Sequence, residues 1–324
     1  VKRLAIILLL LAGTVSAKYA PREMFVIGWG NGPDQLKIHI PTININETDT
    51  TDYDIDPGDG PSFGFIDIKD NVVVGSCNFN QLKVFSNSGE LIYDILGNDT
   101  QIKRRIESES IDEIYIDSLS RIYLTTFPGL PIVPIIDYAG NIIDSLMPFG
   151  DSLHIQIVGL SWAHNGTLYF CEKTKGYCNL NQGIYRPGGT KAFLAHDGFY
   201  YSTLEIPPFI ISFGKYTGPD SFGRPTTQEF KDISCSPDTI DYAIILNGGD
   251  GSRLFVYVIK RMNGQYNEEV RVYDLEYNLL DIASFPQYES RYDCHLDPFV
   301  TRDNSIYEFR CLEDGLHVIK WTKQ

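Results

Sequence analysis

Positive charge is scarce in this 324-residue chain: 27 Lys and Arg stand against 42 Asp and Glu, a formal net charge of −15 at pH 7. An acidic surface of that kind repels phosphate backbones, which excludes nucleic acid as the expected partner and favours cationic groups or divalent metals. Apolar runs are scarce as well. Residues 2–17 read KRLAIILLLLAGTVSA, and the continuous run from Ala5 to Ala12 is too short to cross a hydrocarbon core of roughly 30 Å. Two basic residues before it and small residues around V-S-A after it match a secretory signal peptide. Residues 1–17 are therefore expected to be removed, taking the net charge from −15 to −17 with the loss of Lys2 and Arg3. Residues 18–324 are expected to form one exported domain, secreted, periplasmic or at the cell surface, with no stable membrane insertion.

A sustained 3.6-residue apolar period is also missing. The nearest approach, QIKRRIESES, is too polar and short for a core helix, so few helices are expected. The six histidines, His39, His154, His164, His196, His295 and His317, include no H-x-x-x-H pair, which removes the usual zinc signature. No P-loop or dinucleotide fingerprint occurs. Disorder is excluded by the 20 Tyr and 18 Phe set against only 21% charged residues.

What the sequence does contain is a repeated hairpin. QLKVFSNSGELIYDIL, PIIDYAGNIIDSL, KAFLAHDGFYYSTLEI and VRVYDLEYNLLDIASF each place a Gly, Asn or Asp turn between two β-rich runs. A second hairpin-like pair precedes each of them: GFIDIKDNVVVGSC, EIYIDSLSRIYLTT, GLSWAHNGTLYFCE and DYAIILNGGDGSRLFVYVIKR. Two consecutive hairpins make a four-stranded antiparallel meander, the unit of a propeller blade. A last unit, HLDPFVTRDNSIYEFRCLEDGLHVIKW, supplies three strands, and MFVIGWG near residue 24 is the expected fourth. The expectation is an all-β fold: a single β-propeller of five or six blades, closed by pairing the N- and C-terminal strands. A sixth blade would come from residues 31–62 or 207–232.

Six cysteines in an exported chain point to disulfides. Cys294 and Cys311 are equidistant from the turn-like T-R-D-N, which sets them opposite one another across a hairpin. Cys171 and Cys178 flank a short loop and form a second expected pair. Cys77 and Cys235 have no such geometry.

VVVGSCNFNQLKVFSNSGELI resembles the NHL-repeat consensus, in which an Asn-x-x-(Arg/Lys)-(Val/Ile)-x-x-Phe hairpin is followed by a Gly turn. WAHNGTLYF and FVTRDNSIYEF resemble the D-x-x-G-x-(Ile/Leu)-Tyr-(Val/Phe) hairpin of the same six-bladed, TolB-like group. That resemblance implies a ligand site at the mouth of a central channel. It brings in lyases and, among related propellers, calcium-dependent lactonases.

Several motifs bear on chemistry. Asp52, Asp54 and Asp56 alternate ahead of Pro57-Gly58-Asp59-Gly60, a spacing that can converge carboxylates on calcium. Pro57 at the sixth position and Phe63 at the twelfth exclude an EF-hand. No other cofactor is expected. Phe149-Gly150-Asp151-Ser152-Leu153 and the Asp314-x-x-His317 pair match GDSL-type esterases, but the alternating LHIQIVGLSW after Ser152 reads as strand, where that family needs a helix. Trp162, His164, His295 and Asp297 fall on expected inner strands and are the channel candidates. Asn46, Asn98 and Asn165 head glycosylation sequons. The expected role is a monomeric binding or scaffold module that meets a protein, peptide or glycan through long polar inserts at 41–62, 173–190 and 214–232. The alternative is a propeller enzyme of calcium-dependent lactonase, esterase or lyase type.

Overall fold

The computed structural model describes residues 18–38, 60–76, 80–97, 99–106, 110–117, 119–127, 133–146, 157–162, 168–172, 176–179, 192–196, 198–205, 210–219, 225–233, 240–246, 248–262, 265–286 and 296–324. Among these residues the chain forms six antiparallel sheets. The first sheet holds β2 (Phe63–Ile66), β3 (Val72–Ser76), β4 (Gln81–Phe85) and β5 (Leu91–Asp94). The second holds β6 (Ser110–Ile116), β7 (Ile122–Phe127), β8 (Val133–Ile136) and β9 (Ile142–Leu146). The third has three strands, β10 (Ile157–Trp162), β11 (Leu168–Glu172) and β12 (Gly176–Asn179). The fourth runs through β13 (Ala192–Ala195), β14 (Gly198–Glu205), β15 (Ile210–Pro219) and β16 (Pro225–Ile233). The fifth comprises β17 (Ile240–Ile245), β18 (Leu254–Met262), β19 (Gln265–Tyr273) and β20 (Leu279–Ser284).

The sixth sheet joins the two ends of the chain. Its order is β1 (Tyr19–Gly28), β23 (Gly315–Lys323), β22 (Ile306–Leu312) and β21 (Phe299–Val300). β1 pairs antiparallel with β23 from Tyr19↔Lys323 to Gly28↔Gly315. Contacts between sheets then complete a circuit: β2 meets β6, β6 meets β10, β10 meets β13, β14 meets β17, β20 meets β1, and β21 returns to β2. Strands that open their sheets make most of these contacts, so they are the inner strands of a ring.

Six sheets settle the blade number, and one grouping changes. GLSWAHNGTLYFCE and KAFLAHDGFYYSTLEI do not share a sheet: the first supplies β10 and β11, the second β13 and β14. The expected insert at 214–232 is mostly the β15–β16 hairpin, which completes the fourth sheet, and residues 176–179 of the insert at 173–190 form β12.

The core lies between sheets. β3 is buried along its whole length, as befits a strand covered on both faces. Val72 and Val74 pack with Tyr307, Phe309 and Val318 of the sixth sheet, while Val73 packs with Ile114 and Leu124 of the second. Each such fully buried aliphatic side chain contributes roughly 1.5–3 kcal/mol. The sheets approach so closely that a Cβ on Gly64 would lie 2.7 Å from the Phe309 ring. The one described helix, α1 (Gln101–Arg105), is a single turn N-capped by Thr100, whose Oγ1 accepts from the Lys103 N–H.

Candidate functional site

The two ends of the ring are built differently. One end carries the turns that join first to second and third to fourth strands, and six of these share a single geometry. In Asp67–Asn71, between β2 and β3, the Asp67 N–H donates to the Asn71 carbonyl and the Asp70 N–H returns to the Asp67 carbonyl. Asp67 Oδ1 accepts from the N–H groups of Lys69 and Asn71 at 2.7 and 2.8 Å, and Oδ2 accepts from Asn71 Nδ2. The fourth residue, Asp70, sits at φ +61°. This is a type I turn closed by a left-handed residue, the three-residue hairpin connection. The same backbone pair recurs at 86–90, 117–121, 137–141, 274–278 and 301–305. Gly89, Ser120, Gly140, Tyr277 and Asn304 are the left-handed residues there.

These turns also bond to neighbouring sheets. Tyr138 Oη donates to Asp67 Oδ2 at 2.7 Å. Tyr307 Oη donates to Asp70 Oδ1 at 3.3 Å, and the Lys320 ammonium lies 3.8 and 3.9 Å from Asp303 and Asp70. Between the fifth and sixth sheets, Asn304 Nδ2 donates to Asp250 Oδ2, and the Asp250 N–H donates to Asn304 Oδ1. The His196 N–H donates to the Gly251 carbonyl, tying the fourth sheet to the fifth. Burial pushes the carboxyls of Asp117, Asp250 and Asp303 up, yet hydrogen bonds donated to them outweigh it and hold all three below the usual range. Asp67, Asp117, Asp250 and Asp303 are thus committed to turns and seams.

The opposite end carries the second-to-third-strand turns and, among the described residues, 29–38 and 296–298 of the connections between sheets, whereas Ile102 of the 95–109 connection donates its N–H to the Gly140 carbonyl of the 137–141 turn. Residues 29–38 are docked as a strap. Trp29 Nε1 donates to the Leu312 carbonyl at 2.7 Å, and Leu36, almost fully buried, enters the core between the first and sixth sheets. Beneath it, Lys83 Nζ donates to the carbonyls of Pro33 and Gln35 at 2.7 Å each and of Gly32 at 3.4 Å. Burial lowers the ammonium pKa, with Asp94 opposing at 3.8 Å. Gln81 Oε1 accepts from the Lys37 N–H. Lys83 is the basic residue of the Asn-x-x-Lys-Val pattern; the sequence marked it as a consensus position without revealing that it holds the strap.

Of the channel candidates, Trp162 and Asp297 are described, and they stand at different ends of the ring. Trp162 ends β10, where that inner strand reaches the turn-bearing end of the ring, whereas Asp297 precedes β21 at the opposite end. His164, His295, the acidic loop of Asp52, Asp54 and Asp56, the sequon asparagines Asn46, Asn98 and Asn165, and Ser152 lie outside the described residues. Among the described residues, no three His, Cys, Asp or Glu side chains are grouped to hold a metal.

One expected cysteine pair, Cys171 and Cys178, meets an unexpected register. Cys171 stands across from Tyr177 and Cys178 across from Phe170, one step out of the directly facing arrangement that a bridge between these strands needs. Around the T-R-D-N turn, β21 and β22 pair Phe299↔Tyr307 and Val300↔Ile306. Cys311 is buried on β22, and Cys294 lies outside the described residues.

Asp314 and His317 do meet: His317 Nε2 is 2.9 Å from Asp314 Oδ1. The pair belongs to the β22–β23 turn of an antiparallel sheet, and His317 Nδ1 is 2.9 Å from Glu23 Oε2 on β1. Both ring nitrogens are therefore occupied by carboxylates, which leaves neither to activate a serine.

A closed circuit of six antiparallel sheets, fastened by β1 on β23, makes the chain a β-propeller. No family model matches the sequence, and no curated protein is significantly similar to it. Among solved structures, a virginiamycin B lyase from Staphylococcus aureus is 12% identical with a TM-score of 0.44, over 95% of this chain and 100% of that one. A member of the DUF4221 family from Bacteroides vulgatus is 9% identical with a TM-score of 0.48, over 95% and 99%. A luciferin-regenerating enzyme is 12% identical with a TM-score of 0.44, over 81% and 91%.

Proposed function

We propose that this propeller is an exported, monomeric binding module that meets a protein, peptide or glycan at the end of the ring carrying the connections between sheets. The observation behind this is the asymmetry of the two ends. Five-residue turns, bonded across sheet boundaries, occupy one end, while residues 29–38 of the 29–62 connection, a strap pinned by Lys83, occupy the other. Recognition is commonly placed on variable loops held by a rigid frame, and this chain has the frame on one side and the loops on the other. The NHL-type repeat pattern of β3 to β5 agrees with such a module. Calcium at Asp52, Asp54 and Asp56 would be structural, stiffening the acidic part of the same connection.

The test is a glycan-array and peptide-library screen of the protein, repeated after residues 41–62 are replaced by a Gly-Ser linker and, separately, after Leu119→Ser at the turn end. Loss of the detected ligand in the first variant and its retention in the second are expected. Retention in both would overturn the assignment of the ligand to this connection. A lactonase and esterase panel run with and without a chelator covers the enzymatic alternative: calcium-dependent turnover would replace the binding-module reading.

A further inference from the structure

We propose that the closure of the ring contains an acid-set latch, with the imidazolium of His317 clasped between Glu23 and Asp314. The chemistry is visible in the contacts. Nδ1 faces Glu23 Oε2 and Nε2 faces Asp314 Oδ1, each at 2.9 Å. Carboxylates only accept, so both contacts are hydrogen bonds only when both ring nitrogens carry protons, which is the imidazolium. A neutral ring has one N–H. It must give up one carboxylate and turn a lone pair toward it.

The two carboxylates belong to different parts of the closure. Glu23 lies on β1, next to the irregularity in the β1–β23 register between Glu23 and Phe25, and Asp314 lies in the turn that leads into β23. Deprotonation of His317 therefore removes either the side-chain bond that ties β1 to β23 or the one that braces the turn. The His317 side chain is only 11% exposed, whereas Glu23 and Asp314 are 56% and 70% exposed. The latch thus has one sheltered and two solvated members.

The other charges around the ring do not substitute for either carboxylate. Arg310 stands directly across from His317 on β22, but its guanidinium is committed to Glu308. Glu308 also accepts from Trp321 Nε1, and Glu268 of the fifth sheet, which contributes to the electrostatics of Glu308, accepts from Tyr257 Oη. Glu313 precedes Asp314 in the turn. Arg22 and Lys320 pair with each other in the register, on the opposite face of the sheet. Burial by itself would disfavour the cation, but the bonds to Asp314 and Glu23 prevail and raise the His317 pKa. A raised folded-state value gives stability that is fully present below the unfolded pKa of about 6.5 and is lost as pH rises through the folded value. The N-terminal strand is accordingly held most firmly in mild acid and loosened toward alkaline pH.

The experiment follows the His317 ring protons by NMR and thermal unfolding of the wild type, His317→Gln and Glu23→Gln across pH. The wild-type ring is expected to titrate above about 6.5. The His317→Gln midpoint should fall below wild type by roughly 2–4 °C near pH 5.5 and converge on it near pH 8.5. Glu23→Gln, altering a solvated side chain, keeps the test open should His317→Gln fail to fold: it should lower the His317 pKa and reproduce part of the acid-side loss. A wild-type pKa at or below the reference value, or a midpoint difference independent of pH, would overturn the latch.

Discussion

The hydroxyl of Tyr138 donates to Oδ2 of Asp67 at 2.7 Å, across the seam between the first and second sheets. Asp67 already serves its own turn through Oδ1, so a single carboxylate both closes a hairpin and fastens that hairpin to its neighbour. Tyr138→Phe should destabilise the protein by about 1–3 kcal/mol, the usual cost of withdrawing a donor from a largely buried carboxylate. Tyr93→Phe is the control, because Tyr93 is 41% exposed and its ring contact with Tyr138 survives the change. Denaturant unfolding of both variants checks the contrast.

The tyrosines at the seams should resist ionisation. Burial, and then the Asp117 carboxylate, push Tyr123 up to about 12. Tyr138 and Tyr307 are driven higher still, burial acting first and Asp67 and Asp70 adding to it. Raised folded-state values mean that this contribution to stability is complete below the unfolded value of about 10 and disappears as pH climbs through the folded values. Phenolate absorbance of the native protein near pH 11 should therefore fall short of that of the unfolded chain by several tyrosines. Asp117→Asn should return Tyr123 toward its ordinary value.

Acid should act on the same turns from the other direction. Asp117 accepts from Leu119 N, Arg121 N and Arg121 Nε, and these bonds outweigh burial to depress its pKa. A depressed carboxyl contributes stability above its unfolded value of about 3.9 that is lost as pH falls through the folded one. Asp117→Asn should cost about 1–3 kcal/mol at neutral pH and make unfolding below pH 4 less steeply pH-dependent than in wild type. A pH series of urea titrations measures both.

Lys83→Met should free the strap and leave the sheet beneath it in place. The ammonium serves three carbonyls of residues 32–35, and bonds to a charged group are worth roughly 1.5–3 kcal/mol each. Hydrogen exchange should accelerate at the Gly30 and Leu36 amides, which close the strap onto Leu36 and Gly28, and remain slow at Val73 and Val84.

Gly248→Ala should be among the most damaging small substitutions in the chain. Gly248 sits at φ +142° and bridges Val300, and an added Cβ would fall 2.0 Å from the Val300 carbonyl oxygen. Backbone strain alone contributes about 1–3 kcal/mol, and the clash forces the seam between the fifth and sixth sheets apart. Thermal unfolding of the variant should show a clear drop in midpoint; an unchanged midpoint would refute the close approach.

Much of this frame was legible in the residues because hairpins are local. QLKVFSNSGELIYDIL and VRVYDLEYNLLDIASF carry their turn residues between alternating runs, and the structure folds both as read. Which hairpins share a sheet is decided by closure of the whole ring, and no short segment encodes that, so the sequence alone does not separate β11 from β13. The repeated turn was only half legible. Asp67, Asp137 and Asp274 each precede an Asn by four residues, but Ser86 and Thr301 fill the same position with hydroxyls, and Tyr277 occupies a left-handed conformation that composition gives no cause to expect. The candidate site was less legible still. Trp162 and Asp297 both fall on inner-strand segments of the sequence, a position that says nothing about the end of the ring each one reaches.

The Gln324 N–H donates to the Lys18 carbonyl at 3.1 Å, so residues 18 and 324 are neighbours although the whole ring separates them in sequence. A peptide tether between them would span almost no distance, and the chain could then be recut at another junction between sheets, such as 234–239. Such a circular permutant would carry its new ends where no strand is shared between them. It would convert a ring sealed by non-covalent pairing into one sealed by peptide bonds, with β1 on β23 reduced from a fastening to an ordinary hairpin.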